Sequence, residues 1–268
     1  MGFFDQRCPL VFAHRGGCAL GPENTIEGFD RGIRAGADGL ELDVRISADG
    51  HPVVIHDATL ERTTDATGPV SHRTAAELAR VDAASSYREH GASPLRGAGV
   101  GIPTLADVLA RHVDRPVIVE MKDDNRALGE AVARVVRAAD AVHRVCAAGF
   151  GSSALWAARR ALPDMATSAH QAEVRLALYR SWAAWPVRRA PYQGYQVPES
   201  VGRLRVVSPR FVRHAHGAGL PVQVWTVDQE DDMARLLAWG VDAVISNRPD
   251  QAAALVRRWA VVDGDDTA

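Results

Sequence analysis

The chain has 268 residues, 47% of them hydrophobic, enough for one large domain with a substantial core. With 31 Lys and Arg against 33 Asp and Glu, the near balance of charge disfavours nucleic acid as a bulk electrostatic partner, while leaving room for a local basic patch. The three cysteines, Cys8, Cys18 and Cys146, show neither metal-ligand spacing nor a disulfide pattern.

Strand-like and helix-like segments alternate along the chain. Leu10–His14 predicts a first strand, and Thr25–Ala35 a helix capped by Asn24 with Glu27 three residues on, and stopped by Gly36. Gly39–Val44 predicts the second strand and, after a turn at Ser47–Gly50, Pro52–His56 the third. Residues from Asp57 to Pro103 are too many for an ordinary βα connection and read as a loop insertion holding a short helix near Ala75–Ala83. Helix Thr104–His112, strand Val117–Met121, helix Ala127–Ala139, strand Val145–Phe150, helix Ser153–Ala161 and strand Met165–Ala169 then restore the alternation. Gln171–Val207 reads as an irregular segment with aromatic and basic residues. Helix Pro209–Gly217, strand Val222–Val227, helix Glu230–Trp239, strand Ala243–Ser246 and helix Gln251–Trp259 complete eight β/α units.

That pattern predicts an α/β protein, a closed (β/α)8 TIM barrel. One domain is expected over residues 1–260, with the loop insertion after strand 3, the aromatic/basic segment after strand 6, and a polar tail at 261–268.

Two alternating runs carry the chemistry. Residues two apart in a strand share a face, so Glu41 projects with Asp43, and Glu120 with Lys122. Burying three carboxylates is costly without a neutralising cation. As hard oxygen donors they suit Mg²⁺ or Ca²⁺ rather than a soft metal. One such carboxylate alone is more often a salt-bridge partner of Lys122, Arg15 or Arg45; three on converging strand ends reverse that preference. His14 and His56 end the strands on either side of the Glu41 strand and are placed to move protons. A hydrogen-bonded core histidine is the plainer reading of either one alone. Arg15 offers forked donors and Lys122 a point charge for phosphate oxygens, unless both only balance the carboxylates. Trp225 either walls a pocket or packs inside the barrel. These groups lie at the C-terminal ends of predicted strands, the rim that carries barrel active sites.

The stretches His14-Arg-Gly16, Pro22-Glu-Asn-Thr25, Glu41-Leu-Asp-Val44, Pro52-Val-Val-Ile-His-Asp57, Leu60-Glu-Arg-Thr-Thr64, Ile102-Pro-Thr-Leu105, Val119-Glu-Met-Lys122 and Val224-Trp-Thr-Val227 make the chain resemble the glycerophosphodiester phosphodiesterase family. The resemblance covers nearly the whole chain. It implies a barrel holding one divalent cation, Mg²⁺ or Ca²⁺, on Glu41, Asp43 and Glu120. His14 and His56 would be the acid–base pair, and Arg15 and Lys122 would face the phosphate. Two positions depart from the pattern. Asp228 stands where the family often has Asn after Trp-Thr-Val, and the common Thr-Asp-Arg-Pro appears as Ser246-Asn-Arg-Pro249.

The implied reaction is metal-dependent hydrolysis of a glycerophosphodiester to glycerol phosphate and an alcohol, by attack of water or of the substrate's own hydroxyl. Alternatives are a lysophospholipase D or sphingomyelinase D-like activity on lysolipids and, in another class, a non-catalytic phosphodiester-binding protein. Leu176, Leu178, Tyr179, Trp182 and Trp185 mix with Arg175, Arg180, Arg188 and Arg189. This segment is either an acyl-chain or membrane-contacting flap or an amphipathic helix covering the barrel. Tyr195-Gln-Val-Pro198 and Val207-Ser-Pro-Arg210 resemble family members acting on lysophospholipids. The expected partner is a small glycerophosphodiester or lysophospholipid, with no protein partner. Met1-Gly-Phe-Phe-Asp-Gln6 resembles neither a secretion leader nor a myristoylation signal. A cytoplasmic location, with peripheral membrane contact through the aromatic/basic segment, is the corresponding expectation.

Overall fold

Runs such as Leu-Val-Phe-Ala at 10–13 and Val-Ile-Val at 117–119 are apolar on both faces, the signature of parallel strands covered by helices outside and side chains within. A computed structural model describes residues 2–4 and 9–265, with side chains up to 259; Cys8 lies outside them. Its elements are β1 Leu10–His14, α1 Ile26–Arg34, β2 Gly39–Ile46, β3 Pro52–Val54, α2 Ala75–Leu78, α3 Leu105–Arg111, β4 Val117–Met121, α4 Arg126–Ala138, β5 Val145–Ala148, α5 Ser153–Ala161 and β6 Ala166–Thr167. They continue with α6 Gln171–Trp182, β7 Tyr195–Pro198, β8 Ser200–Val201, β9 Leu204–Arg205, α7 Pro209–His216, β10 Val222–Trp225, α8 Glu230–Ala238, β11 Ala243–Ser246 and α9 Pro249–Asp265.

Parallel strands run in the order β6-β5-β4-β2-β1-β11-β10-β7. A parallel bridge between Ser168 and Gly194 closes the ring, with Gln193 N–H on Thr167 O at 2.9 Å and Ala169 N–H on Gly194 O at 3.1 Å. The expected (β/α)8 TIM barrel is therefore the observed fold. Leu40, Leu42, Val44, Val117, Val119 and Met121 point outward into a core shared with α1, α3, α4 and α5. Phe12, Ile118, Cys146, Ala243 and Ile245 fill the interior. Gly39 is dictated by this filling, since a Cβ there would lie 2.6 Å from a ring carbon of Phe12. Phe3, 2% exposed, stacks on Phe12 at 5.9 Å and seals the lower end.

Two strand assignments change. Pro52–Val54 is not a ring strand: it folds back antiparallel on the end of β2, pairing Val44 with Val54 and Ile46 with Pro52. The Ser47–Gly50 turn is too short for the crossover that a parallel neighbour requires. The eighth ring position belongs to β7, which lies inside the segment read as irregular and pairs in parallel with β10. The insertion therefore follows the β2–β3 hairpin, and it builds its own small core from Val53, Ile55, Leu60, Val70, Leu78 and Ile102.

Three further boundaries differ. The cap of α1 is Thr25, whose Oγ1 accepts from Gly28 N–H at 3.0 Å, not Asn24. Helix α2 stops at Leu78, short of Ala83, and α9 continues to Asp265, into the stretch expected to be tail. In the aromatic/basic segment, α6 packs Ala177 and Leu178 against the barrel, as the covering-helix alternative requires. Leu176, Tyr179, Trp182 and Trp185 face outward. Among the described residues no helix is long and apolar enough to cross a membrane.

Candidate active site

Strand register brings the acidic groups together. His14 is aligned with Glu41 across β1 and β2, and Asp43 with Glu120 across β2 and β4. Because Leu40, Leu42 and Val44 face the helices, Glu41 and Asp43 face the interior, and Glu120 does so by the same alternation. Glu41, Asp43 and Glu120 each present a carboxylate oxygen, all within 4.8 Å of one another. The set fits a hard cation, because the oxygens are crowded and Glu41 and Asp43 are buried. Burial, reinforced by the charges of Asp43 and Glu120, holds the Glu41 carboxyl well above the usual range. Burial also raises Glu120, despite Lys122 beside it. For Asp43, burial pushes upward, but the charges of Lys122 and Arg15 and the Asn24 hydrogen bond outweigh it and leave the carboxyl below its ordinary value.

Two cations balance the cluster in part. Lys122 Nζ lies 3.0 Å from Asp43 Oδ1 and 2.7 Å from Glu120 Oε1. Arg15 Nε lies 3.1 Å from Asp43 Oδ2, and the Arg15 backbone N–H donates to Glu41 Oε2 at 3.0 Å. Arg15 has a φ of 51°, in the left-handed region. Beyond it, Glu23 links Arg15 at 3.2 Å to Arg62 at 2.8 Å.

The two imidazoles have unlike partners. His14 Nδ1 lies 2.6 Å from Asn247 Oδ1, and its Nε2 lies 3.9 Å from Glu41 Oε2. Burial pushes His14 below its ordinary value, opposed by the Asn247 hydrogen bond. His56 follows β3 rather than ending a ring strand, and its Nδ1 lies 2.5 Å from Asp57 Oδ1. Asp57 is brought down to about 2, chiefly by hydrogen bonds from Arg62, then by that of His56, against the opposing effect of burial.

A cavity of about 280 Å³ joins these groups. One side is polar, with His14, Arg15, Glu41, His56, Glu120 and Lys122; the other is apolar, with Phe150, Val174, Val197, Val206 and Trp225. Trp225 projects from the interior face of β10 and meets Phe150 edge to face at 5.7 Å. Every site residue named from the sequence except Asp43 lines this cavity; Asp43 lies beneath, fully buried. Leu176, Tyr179, Trp182 and Trp185 line none of it. Helix α6 starts at the mouth with Gln171 and runs about 18 Å down the flank.

Sequence reasoning missed three groups. Asn24 grips Asp43 twice, donating from Nδ2 to Oδ2 at 2.9 Å and accepting the Asp43 N–H at 3.2 Å. Asn247 and Asp228 stand behind His14. The only signals were the Pro22-Glu-Asn-Thr25 motif and the two departures at 228 and 247.

Comparison with known proteins agrees with the geometry. The sequence profile of the "Glycerophosphoryl diester phosphodiesterase family" matches residues 14–251. A glycerophosphodiester phosphodiesterase of Caldanaerobacter subterraneus subsp. tengcongensis is 31% identical over 255 residues, covering 93% of this chain and 98% of its own. Among solved structures, the glycerophosphoryl diester phosphodiesterase domain of a Mycobacterium tuberculosis protein superposes with a TM-score of 0.80 at 25% identity, covering 94% of this chain and 99% of its own. An Oleispira antarctica phosphodiesterase, solved with the product sn-glycerol-3-phosphate, gives 0.73 at 25% identity, covering 93% and 97%.

Proposed function

The chain belongs to the glycerophosphoryl diester phosphodiesterase family, and on that premise we propose that it hydrolyses glycerophosphodiesters to glycerol phosphate and an alcohol. One observation carries the reading: three carboxylates whose oxygens lie within 4.8 Å of one another share a single cavity with two imidazoles, a guanidinium and an ammonium. When ionised, Glu41, Asp43 and Glu120 exceed Arg15 and Lys122 by one negative charge, which repels a phosphodiester until a divalent ion reverses the sign. Glu41, Asp43 and Glu120 would hold that ion, Mg²⁺ or Ca²⁺, which when bound polarises a phosphoryl oxygen as a Lewis acid.

The chain's own residues do the rest. Arg15 and Lys122 present donors to the non-bridging oxygens and stabilise charge that develops there. His14 and His56 act as the acid–base pair: one accepts the proton of the attacking hydroxyl, the other protonates the departing alkoxide. The apolar wall of Phe150, Val197, Val206 and Trp225 excludes water and lies against the organic part of the substrate. Leu176, Leu178, Tyr179, Trp182 and Trp185, nominated for an acyl-chain flap, lie outside the cavity, which counts against a flap that holds an acyl chain there.

Product analysis tests the proposal. After chelation and dialysis, glycerophosphodiesters incubated with restored Mg²⁺ or Ca²⁺ yield glycerol phosphate and the free alcohol; without the ion they do not. Head-group binding with no product under restored metal would identify a binding protein instead.

A further inference from the structure

Asp228, just after β10, and Asn247, just after β11, meet behind His14. Asn247 Nδ2 donates to Asp228 Oδ2 at 2.7 Å, Asn247 N–H to Asp228 Oδ1 at 2.8 Å, and Ser246 Oγ to the same Oδ1 at 3.0 Å. An ionised carboxylate only accepts. Asp228 therefore draws the amide nitrogen of Asn247 towards itself and turns the amide oxygen away. That oxygen lies 2.6 Å from His14 Nδ1 and accepts from Cys18 Sγ at 2.7 Å.

A carbonyl oxygen has no proton to give, so the proton of the His14 contact resides on Nδ1. The neutral ring then keeps its lone pair on Nε2, the nitrogen turned towards Glu41. Neither Asp228 nor Asn247 lines the cavity. Their influence on a substrate passes through His14.

We propose that Asp228 and Asn247 are a positioning pair that holds His14 in its Nδ1–H tautomer, presenting Nε2 to the substrate. The inference rests on His14 being an acid–base group, as in the proposed function. Asn247 accepts from the ring and Asp228 fixes Asn247, so the member touching the imidazole is neutral and the charge sits one residue behind it; exchanging the two side chains would still leave an acceptor at the ring and a group fixing that acceptor.

Nitrogen-15 NMR of the His14 ring, assigned by its loss in His14→Gln, reads the tautomer directly in the metal-free protein. The expected result at neutral pH is a protonated Nδ1 and a bare Nε2, with mixed tautomers in Asp228→Asn, where the amide is free to turn over. With glycerophosphodiester substrate and metal, kcat in Asp228→Asn and in Asn247→Asp falls roughly 10- to 100-fold while KM stays near wild type. The double variant Asp228→Asn/Asn247→Asp regains the tautomer and most of the rate, a non-additive recovery. A wild-type Nε2–H tautomer, single variants with unchanged kcat, or a double variant whose loss is the product of the two single losses would each overturn the proposal. If Asn247→Asp does not fold, the wild-type tautomer and the double variant still decide. If the wild type turns over no phosphodiester, the proposed function fails, whereas the tautomer and its response to Asp228→Asn are read without activity.

Discussion

Replacing Lys122 with Met removes the ammonium that sits between two buried carboxylates, at 3.0 Å from Asp43 and 2.7 Å from Glu120. At an effective dielectric near 20, each such pair is worth about 6 kcal/mol of attraction, offset by several kcal/mol for desolvating the lysine. Removing one partner of a buried pair leaves the other uncompensated, so the metal-free variant loses about 3–5 kcal/mol at pH 8. The pH dependence follows from sign. Glu41 and Glu120 already have raised proton affinity in the fold, so the folded state binds more protons than the unfolded, and stability from these groups falls as pH rises through and above the ordinary carboxylate range. Losing Lys122 raises that affinity further. Urea unfolding of the metal-free variant shows the loss in full at pH 8 and much reduced at pH 5. A cation at 100 times its dissociation constant restores about 2.7 kcal/mol at pH 8. A deficit equal at both pH values and indifferent to Mg²⁺ and Ca²⁺ would refute Lys122 as the countercharge of this cluster.

His14→Ala and His56→Ala each abolish most turnover while the thermal unfolding midpoint stays close to wild type; near-normal rates in both would remove the acid–base pair. The carboxyl of Asp57, held at about 2 against an ordinary 3.8, contributes stability that is complete above pH 3.8 and lost as pH falls towards 2. Arg62→Ala moves its NMR titration back towards 3.8 and flattens that acid limb. Arg144, buried, donates to the Leu109, His112 and Arg115 carbonyls at 2.9, 3.0 and 3.3 Å and so closes the end of α3. Arg144→Met costs about 3 kcal/mol in urea unfolding with kcat unchanged, because it orphans buried acceptors far from the cavity. A fall in kcat at full stability would contradict that purely structural role.

The ring was legible wherever a strand is apolar on both faces, as in Leu10–His14 and Ala243–Ser246. β7 was hidden because Tyr195-Gln-Val-Pro198 is only 4 residues long and ends in a proline, so it reads as a loop. Pro52–Val54 was mistaken for its replacement because periodicity reveals a strand but not the direction of its neighbour. The carboxylate cluster was readable because alternation fixes which residues share a face. The groups supporting it were not. His14 and Asn247 are 233 positions apart, and only ring closure between β1 and β11 brings them together. Asn24 resembled a helix cap because such residues also serve as caps; its left-handed φ of 57° frees the side chain to reach Asp43 instead.

The two histidines are built on unequal foundations. His14 is rooted in the ring itself, between β2 and β11. His56 extends from a hairpin whose footing is the insertion's small separate cluster around Leu60, Val70 and Leu78. A local opening of that cluster would swing His56 and Asp57 out together while the barrel stays shut. Drift in the insertion's sequence thus has a route to retune one half of the proton machinery without touching a single residue of the staves.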